Sequence, residues 1–485
     1  MVFGSFQFIF LFLPLVVLGF FYLGRKNPWW AQLWLLLASL VFYSSWTFKL
    51  LPVLALSTVG NYAVIGWLSD PSRAATSRSM LLKAAVAANL ALLVYFKYAN
   101  FFISSINTLS GTELQLLHIM MPIGISFFTF TQISFLVDAA QGKATPANFT
   151  NYFLFTSYFP YIVAGPVLHH REILPQIADR ENYRIKPMNV AVGLSLFAFG
   201  LAKKALIADN LVPIVDTVFA TDSPKLLQAW IGILAYSFQL YFDFSGYSDM
   251  AIGVSRLFGI QISYNFNSPY KAASVSEFWL RWHISLSRFL RNYLYIPLGG
   301  NRCGPLNRYR NLLLTMLLGG LWHGSNWTFV VWGGLHGLYL CVQHGWQALR
   351  GPSAGPSSAP ARLVGRILTF VAVLIAWCFF RANDLGSAWA MLSGMAGTHG
   401  VSAVSGIALF DYVMLIVSAF IIWFMPNTNE IFLYLESRYE PPLAAFSLVT
   451  IRWRPVLRWG ITVGLVLALA IMSMDKTKDF IYAQF

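Results

Sequence analysis

The chain has 485 residues, 57% of them hydrophobic and 11% charged, with a formal net charge of +14. So little polar surface excludes a set of soluble domains and makes lipid the solvent for most of the chain. The basic residues are spread over membrane-flanking loops, which argues against a nucleic-acid partner. Cys303, Cys341 and Cys378 have no paired or metal-type spacing and support neither a disulfide frame nor a zinc site.

Apolar runs long enough to span about 30 Å of hydrocarbon begin at Phe6–Leu23 and recur through Leu33–Phe48, Leu50–Leu68, Leu81–Phe96, Ile123–Val137 and Tyr152–Val167. Further candidates are Val190–Ile207, Trp230–Phe244, Leu312–Trp322, Trp327–Leu340, Ile367–Phe380, Tyr412–Phe424 and Trp459–Met474. Lipid offers no partner to free backbone groups, so runs this long predict an all-α, polytopic transmembrane fold with roughly 11–14 segments, some re-entrant. The first run lacks a preceding cation and a small-residue cleavage site and is followed by Arg25 and Lys26. It reads as a retained helix with its N-terminus outside. Residues 1–115 are expected to form simple N-terminal helices, 116–350 a catalytic core, and 351–485 C-terminal helices after the Pro/Ser/Gly-rich linker Gly351–Ala361.

The core segment is set apart by polar residues inside apolar surroundings, which are costly in a membrane and point to function. His169 and His170 follow Gly165-Pro166 and read as membrane-surface residues. The run from Tyr236 to Asp249 places Gln239, Tyr241, Asp243 and Asp249 in an apolar helix. These residues line an aqueous substrate path or satisfy one another between helices.

Ser274-Val-Ser-Glu277 has capping-box spacing and predicts a helix running through Arg291, with Trp279, His283, Leu286 and Leu290 on one stripe and Arg281 and Arg288 on another. His283 reads either as a core histidine or as a second polar group of a site. Arg281, Arg288 and Arg291, with Arg302, Arg308 and Arg310, face lipid headgroups or a donor phosphate at the cytoplasmic surface. Tyr295-Ile-Pro-Leu-Gly-Gly-Asn301 then breaks the helix.

Gly319-Gly-Leu-Trp-His-Gly-Ser-Asn-Trp327 puts His323 between aromatic residues at a glycine-flexed junction, with Trp322 and Asn326 beside it. A desolvated imidazole there stays neutral and can act as the general base that hydroxyl activation needs, or it is a core histidine bonded to a carbonyl. His336 and His344 are two helical turns apart, too far to share a metal, and no metal site is assigned. The chain lacks the G-x-S-x-G elbow, the phosphate loop, the dinucleotide glycine pattern and H-E-x-x-H. Direct transfer by an oriented base remains, and a proton-relaying transporter is the alternative from another class.

Together, Pro122-Ile-Gly-Ile-Ser-Phe-Phe-Thr-Phe, Phe159-Pro160 with Gly165-Pro166, Tyr241–Asp249, Glu277-Phe-Trp with Trp282-His-Ile-Ser285, the 295–301 turn and Gly320-Leu-Trp-His-Gly324 resemble the membrane-bound O-acyltransferase (MBOAT) family. Over roughly residues 1–480 the chain is similar to the family's bacterial polysaccharide branch, which acetylates alginate and cellulose. The resemblance implies a ring of helices around a central tunnel, with His323 at the family's near-invariant histidine and His283 at its second polar position.

It further implies a multi-pass protein of the inner membrane with no bound cofactor. The donor is acetyl-CoA or an acyl-carrier thioester on the cytoplasmic side, the acceptor an exported polysaccharide, and a periplasmic or membrane acetyltransferase partner is expected. Trp322, Asn326, Trp279, Arg281, Tyr241 and Asp243 are the candidate substrate-binding residues. The related D-alanyl transfer to teichoic acid, with its carrier-protein donor, stays open.

Overall fold

Prolines and asparagines between the apolar runs set where helices start. Pro28–Thr47 and Leu51–Leu68 each carry proline in the first turn, where its missing N–H costs nothing. The Asn27 side chain caps Pro28–Thr47 by accepting from the Trp29 N–H at 2.9 Å. The computed structural model describes residues 1–144, 148–163, 165–351, 358–401, 408–432 and 447–474, and among these every regular element is a helix. The linker centred on 352–357 lies mostly outside the described residues.

Five described helices are long and apolar enough to cross a membrane: Phe8–Lys26, Phe48–Leu68, Ala75–Ser110, Pro187–Phe219 and Ala359–Arg381. Ile125–Ala140, Leu409–Phe424 and Leu457–Met472 are shorter apolar helices. The chain is thus an all-α polytopic membrane protein. One predicted run needs correction. Within 152–167 the helix is only Phe149–Ser157, because Pro160 and then Gly165-Pro166 deny the chain the backbone donors and the stiffness to continue.

Two compact units divide the residues: Met1–Phe197 with Tyr247–Ser263, and Ala198–Gly246 with Tyr264–Phe485. In the first, the helices Leu51–Leu68, Ala75–Leu93 and Ile125–Ala140 are joined by a buried amide network. Asn61 Nδ2 donates to Asn89 Oδ1 at 3.0 Å and also to Gln132 Oε1, and Asn89 Nδ2 returns a bond to Asn61 Oδ1 at 2.8 Å. Side-chain amides bridging apolar helices serve where apolar contact alone gains nothing over lipid.

In the second unit Pro305–His323 and Trp327–Arg350 form a tight hairpin. Glycines let the two backbones touch. A Cβ on Gly320 would strike the Phe329 carbonyl and sit 3.0 Å from Gly333 Cα, and one on Gly333 would strike the Met316 carbonyl. Asn326 starts the second arm, its Oδ1 accepting from Thr328 N–H at 3.0 Å.

Candidate functional site

His323 ends the first arm of the hairpin and is 3% exposed. Its ring lies edge-on to Trp322, Trp332 and Phe380 at centroid distances of 5.0, 4.9 and 5.3 Å. The His283 ring is 6.3 Å away and fully buried, itself edge-on to Phe244 at 4.8 Å. The two histidines read from the sequence therefore meet inside an aromatic, water-poor enclosure.

The backbone brings His283 there in an unusual way. The helix expected to run from Glu277 through Arg291 is in fact two, Val275–Arg281 and Ile284–Leu290, broken at His283 with φ 43° and ψ 55°. This left-handed conformation is costly for a residue with a Cβ, and only Ser268 shares a positive φ among the described non-glycine residues. The segment before Pro269 holds it in place. Asn267 N–H donates to the Arg281 carbonyl at 2.9 Å and Ile284 N–H to the Asn265 carbonyl at 3.0 Å, so the peptides flanking His283 are pinned from both sides. Strain held by surrounding bonds is common at sites where geometry matters.

Asn265 also sets the state of the imidazole. Its Oδ1 accepts from the Ser285 N–H at 3.1 Å and the Ser285 hydroxyl at 2.9 Å, and of the two ends of a side-chain amide only the oxygen can accept from a backbone N–H. The same oxygen lies 3.2 Å from His283 Nδ1, which must then carry the ring proton, leaving the lone pair on Nε2. In the neutral ring Nε2 accepts hydrogen bonds. That suits a hydroxyl and does not suit polarising an acyl carbonyl.

The other predicted site residues divide. Trp322 touches both histidines, and Trp279 packs on Trp332 at 5.9 Å, one ring removed from His323. Tyr241 reaches Phe266 at 6.2 Å and Tyr270 at 5.7 Å, within the aromatic surroundings of His283. Arg281 is buried, its guanidinium 2.8 Å from Glu277 and donating to the Asn267 carbonyl at 3.1 Å, so it faces neither headgroups nor solvent. Asn326 caps its helix and donates to the Asn383 carbonyl at 2.8 Å. Asp243 lies 2.9 Å from Lys204 Nζ, which also pairs with Asp209 at 2.8 Å, a buried ion cluster. Of the arginines downstream, Arg308 donates to His344 Nδ1 at 2.7 Å.

Asn265, Trp332 and Phe380 escaped the sequence reading, and His336 was weighed there only as a metal partner of His344. Trp332 and His336 are spaced four apart on one helix face, a signal that was available. Asn265 acts from 18 residues upstream of His283, beyond any local pattern.

In the other unit, Asp138, His169 and His170 bring their ligand atoms within 4.8 Å of one another. Asp138 Oδ2 is 2.8 Å from His169 Nε2 and 3.0 Å from His170 Nε2. His169 Nδ1 accepts from the Arg171 N–H at 3.3 Å, which places its ring proton on Nε2. In that tautomer His169 donates to the carboxylate and offers a metal no lone pair at Nε2.

The profile of the membrane-bound O-acyltransferase family matches residues 31–383. The chain is 43% identical over 430 residues to the peptidoglycan O-acetyltransferase of Helicobacter pylori, covering 83% of this chain and 81% of that one. It is 46% identical over 401 residues to the probable alginate O-acetylase AlgI of Azotobacter vinelandii, covering 81% and 78%. A teichoic acid D-alanyltransferase of Streptococcus thermophilus matches more weakly, at 26% over 304 residues, 57% of this chain and 72% of that one.

Proposed function

Because the chain belongs to the membrane-bound O-acyltransferase family, we propose that this O-acyltransferase moves acetyl from a thioester donor to a hydroxyl of an exported glycan. The observation that carries the reading is the meeting of His283 and His323 among aromatic rings, with the His283 tautomer held by Asn265. The acetyl group and the glycan are supported by the peptidoglycan and alginate relatives.

In the reaction the hydroxyl oxygen attacks the thioester carbonyl carbon. His323 takes the hydroxyl proton as the C–O bond forms, the C–S bond breaks, and the proton passes to the leaving sulfur, so that ester and thiol are the products. His283 Nε2 accepts a hydrogen bond from a neighbouring hydroxyl of the acceptor and fixes which one reacts. Excluding water from the aromatic enclosure protects the thioester from hydrolysis. The reading places the protein in the inner membrane, with the donor at the cytoplasmic side and a periplasmic acetyltransferase partner receiving or delivering the group.

The test is transfer of labelled acetyl by the purified protein, offered acetyl-CoA and, separately, an acetylated carrier protein. Turnover by wild type and none by His323→Ala is expected. Turnover of neither donor refutes the thioester reading, and transfer of D-alanyl in place of acetyl from the carrier protein would move the chain to the teichoic-acid type.

A further inference from the structure

His336 lies one helical turn beyond Trp332 and is fully buried, and neither ring nitrogen has a hydrogen-bond partner. Phe278 stacks over it at 5.9 Å and 8°, while Trp279 and Trp332 meet it edge-on at 5.1 and 4.9 Å. The indole nitrogens of Trp279 and Trp332 are likewise buried without a partner. Buried polar groups are almost always satisfied, so a cluster of unsatisfied ones on the wall next to His323 calls for an explanation.

The hydrogen-bonding inventory defines what would satisfy it. A neutral imidazole offers one donor and one acceptor, and each indole one donor. A matching ligand presents more acceptors than donors but at least one donor. It must also be uncharged, because the neighbouring cation, Arg281, is already occupied by Glu277 at 2.8 Å, and an unpaired charge is costly to bury. A slender chain carrying a secondary amide beside a further carbonyl meets these terms.

We propose that His336, with the indoles of Trp279 and Trp332, forms a binding site for a secondary amide of a substrate engaged at His323. The amide oxygen accepts from an indole or from the imidazole N–H, and the amide N–H donates to the imidazole lone pair. Trp279, the most exposed of the three aromatic neighbours at 8%, is the side chain whose rotation opens the site. The proposal rests on acyl transfer from a thioester. The amide comes either from the donor's arm or from an N-acetyl group on the acceptor sugar.

The experiment uses the full-length protein in detergent, wild type and His336→Phe, a substitution that keeps an aromatic ring against Phe278 and removes both nitrogens. Two donors are compared, S-acetyl-N-acetylcysteamine, which carries an amide, and S-butyl thioacetate, which does not. Two acceptors are compared, chitotetraose with N-acetyl groups and cellotetraose without.

Wild type is expected to favour the amide-bearing partner at least tenfold in kcat/KM. His336→Phe should abolish that preference, and His336→Gln, which restores a donor and an acceptor, should regain part of it. Loss of the preference between donors places the amide on the donor, and loss between acceptors places it on the sugar. Because the nitrogens have no protein partner, His336→Phe should melt no lower than wild type. Unchanged preferences in a folded His336→Phe protein, or failure of that variant to fold, overturns the proposal. A wild type inactive with both thioesters overturns the acetyl-transfer reading and this site with it.

Discussion

Two groups of histidines are set apart in this molecule, and their surroundings give them opposite uses. His169 and His170 share the Asp138 carboxylate, whereas His283, His323 and His336 lie among phenyl and indole rings, with Asn265 on His283 Nδ1. A histidine bonded to a carboxylate spends its proton on holding structure. One held neutral among aromatic rings keeps a lone pair for chemistry. Burial alone does not separate the groups, since His170 is nearly as buried as His323. The partners do.

The comparison predicts that substitutions in the aromatic group lose rate and substitutions in the carboxylate group lose stability. The largest effect is expected from His323→Ala, a fall in acyl transfer of about a hundredfold to ten-thousandfold with an unchanged melting temperature. A variant that merely unfolds would break the contrast. Next, Asn265→Leu frees the His283 ring to take the wrong tautomer, and transfer should drop roughly tenfold to a hundredfold, with Asn265→Asp recovering part because the acceptor oxygen returns. Equal losses in both variants would argue that Asn265 only packs.

Asp138→Leu strips two imidazoles of their acceptor and should lower stability by about 1.5–3 kcal/mol, while the protein that remains folded turns over normally. Chelator or added Zn²⁺ should leave its melting temperature, and that of wild type, unchanged. A metal-dependent shift would place an ion at Asp138 after all.

Acid sharpens the same point. Burial lowers the proton affinity of His170 below the ordinary 6.5, outweighing the hydrogen bond that His170 donates to Asp138, which raises it. The unfolded chain then binds more protons, so this contribution is complete above pH 6.5 and lost as pH falls below it. A thermal-shift series should show that slope, absent in His170→Phe. The smallest effect concerns the backbone. His283→Gly, which accepts a positive φ freely, should be about 1–2 kcal/mol more stable than His283→Leu, both lacking transfer.

How much of this could be read beforehand depends on how local each cause is. The Ser274 cap is visible as a four-residue pattern, and Ser274 Oγ does accept from Glu277 N–H at 3.2 Å. The glycine break after Tyr295 is real, with Gly299 and Gly300 at φ 108° and 54°. The all-helical membrane fold follows from apolar runs alone. The interruption at His283 was not legible, because Phe278–Leu290 has good helical periodicity and the competing force is the remote 265–267 segment. The ion pairs of Arg281 and Asp243 differ in legibility, since Glu277 is one helical turn from Arg281 whereas Lys204 is remote in sequence from Asp243.

The glycine-tight hairpin has a consequence for the order of assembly. His323, Trp332 and His336 belong to two helices joined by a three-residue turn, so their mutual placement closes almost no chain and needs no later part of the sequence. As the chain emerges during synthesis, this half of the site can take shape before Leu457–Met472 exists. Substituting Gly333 with a larger residue would therefore act at birth, leaving a protein whose later helices have nothing correctly shaped to pack against.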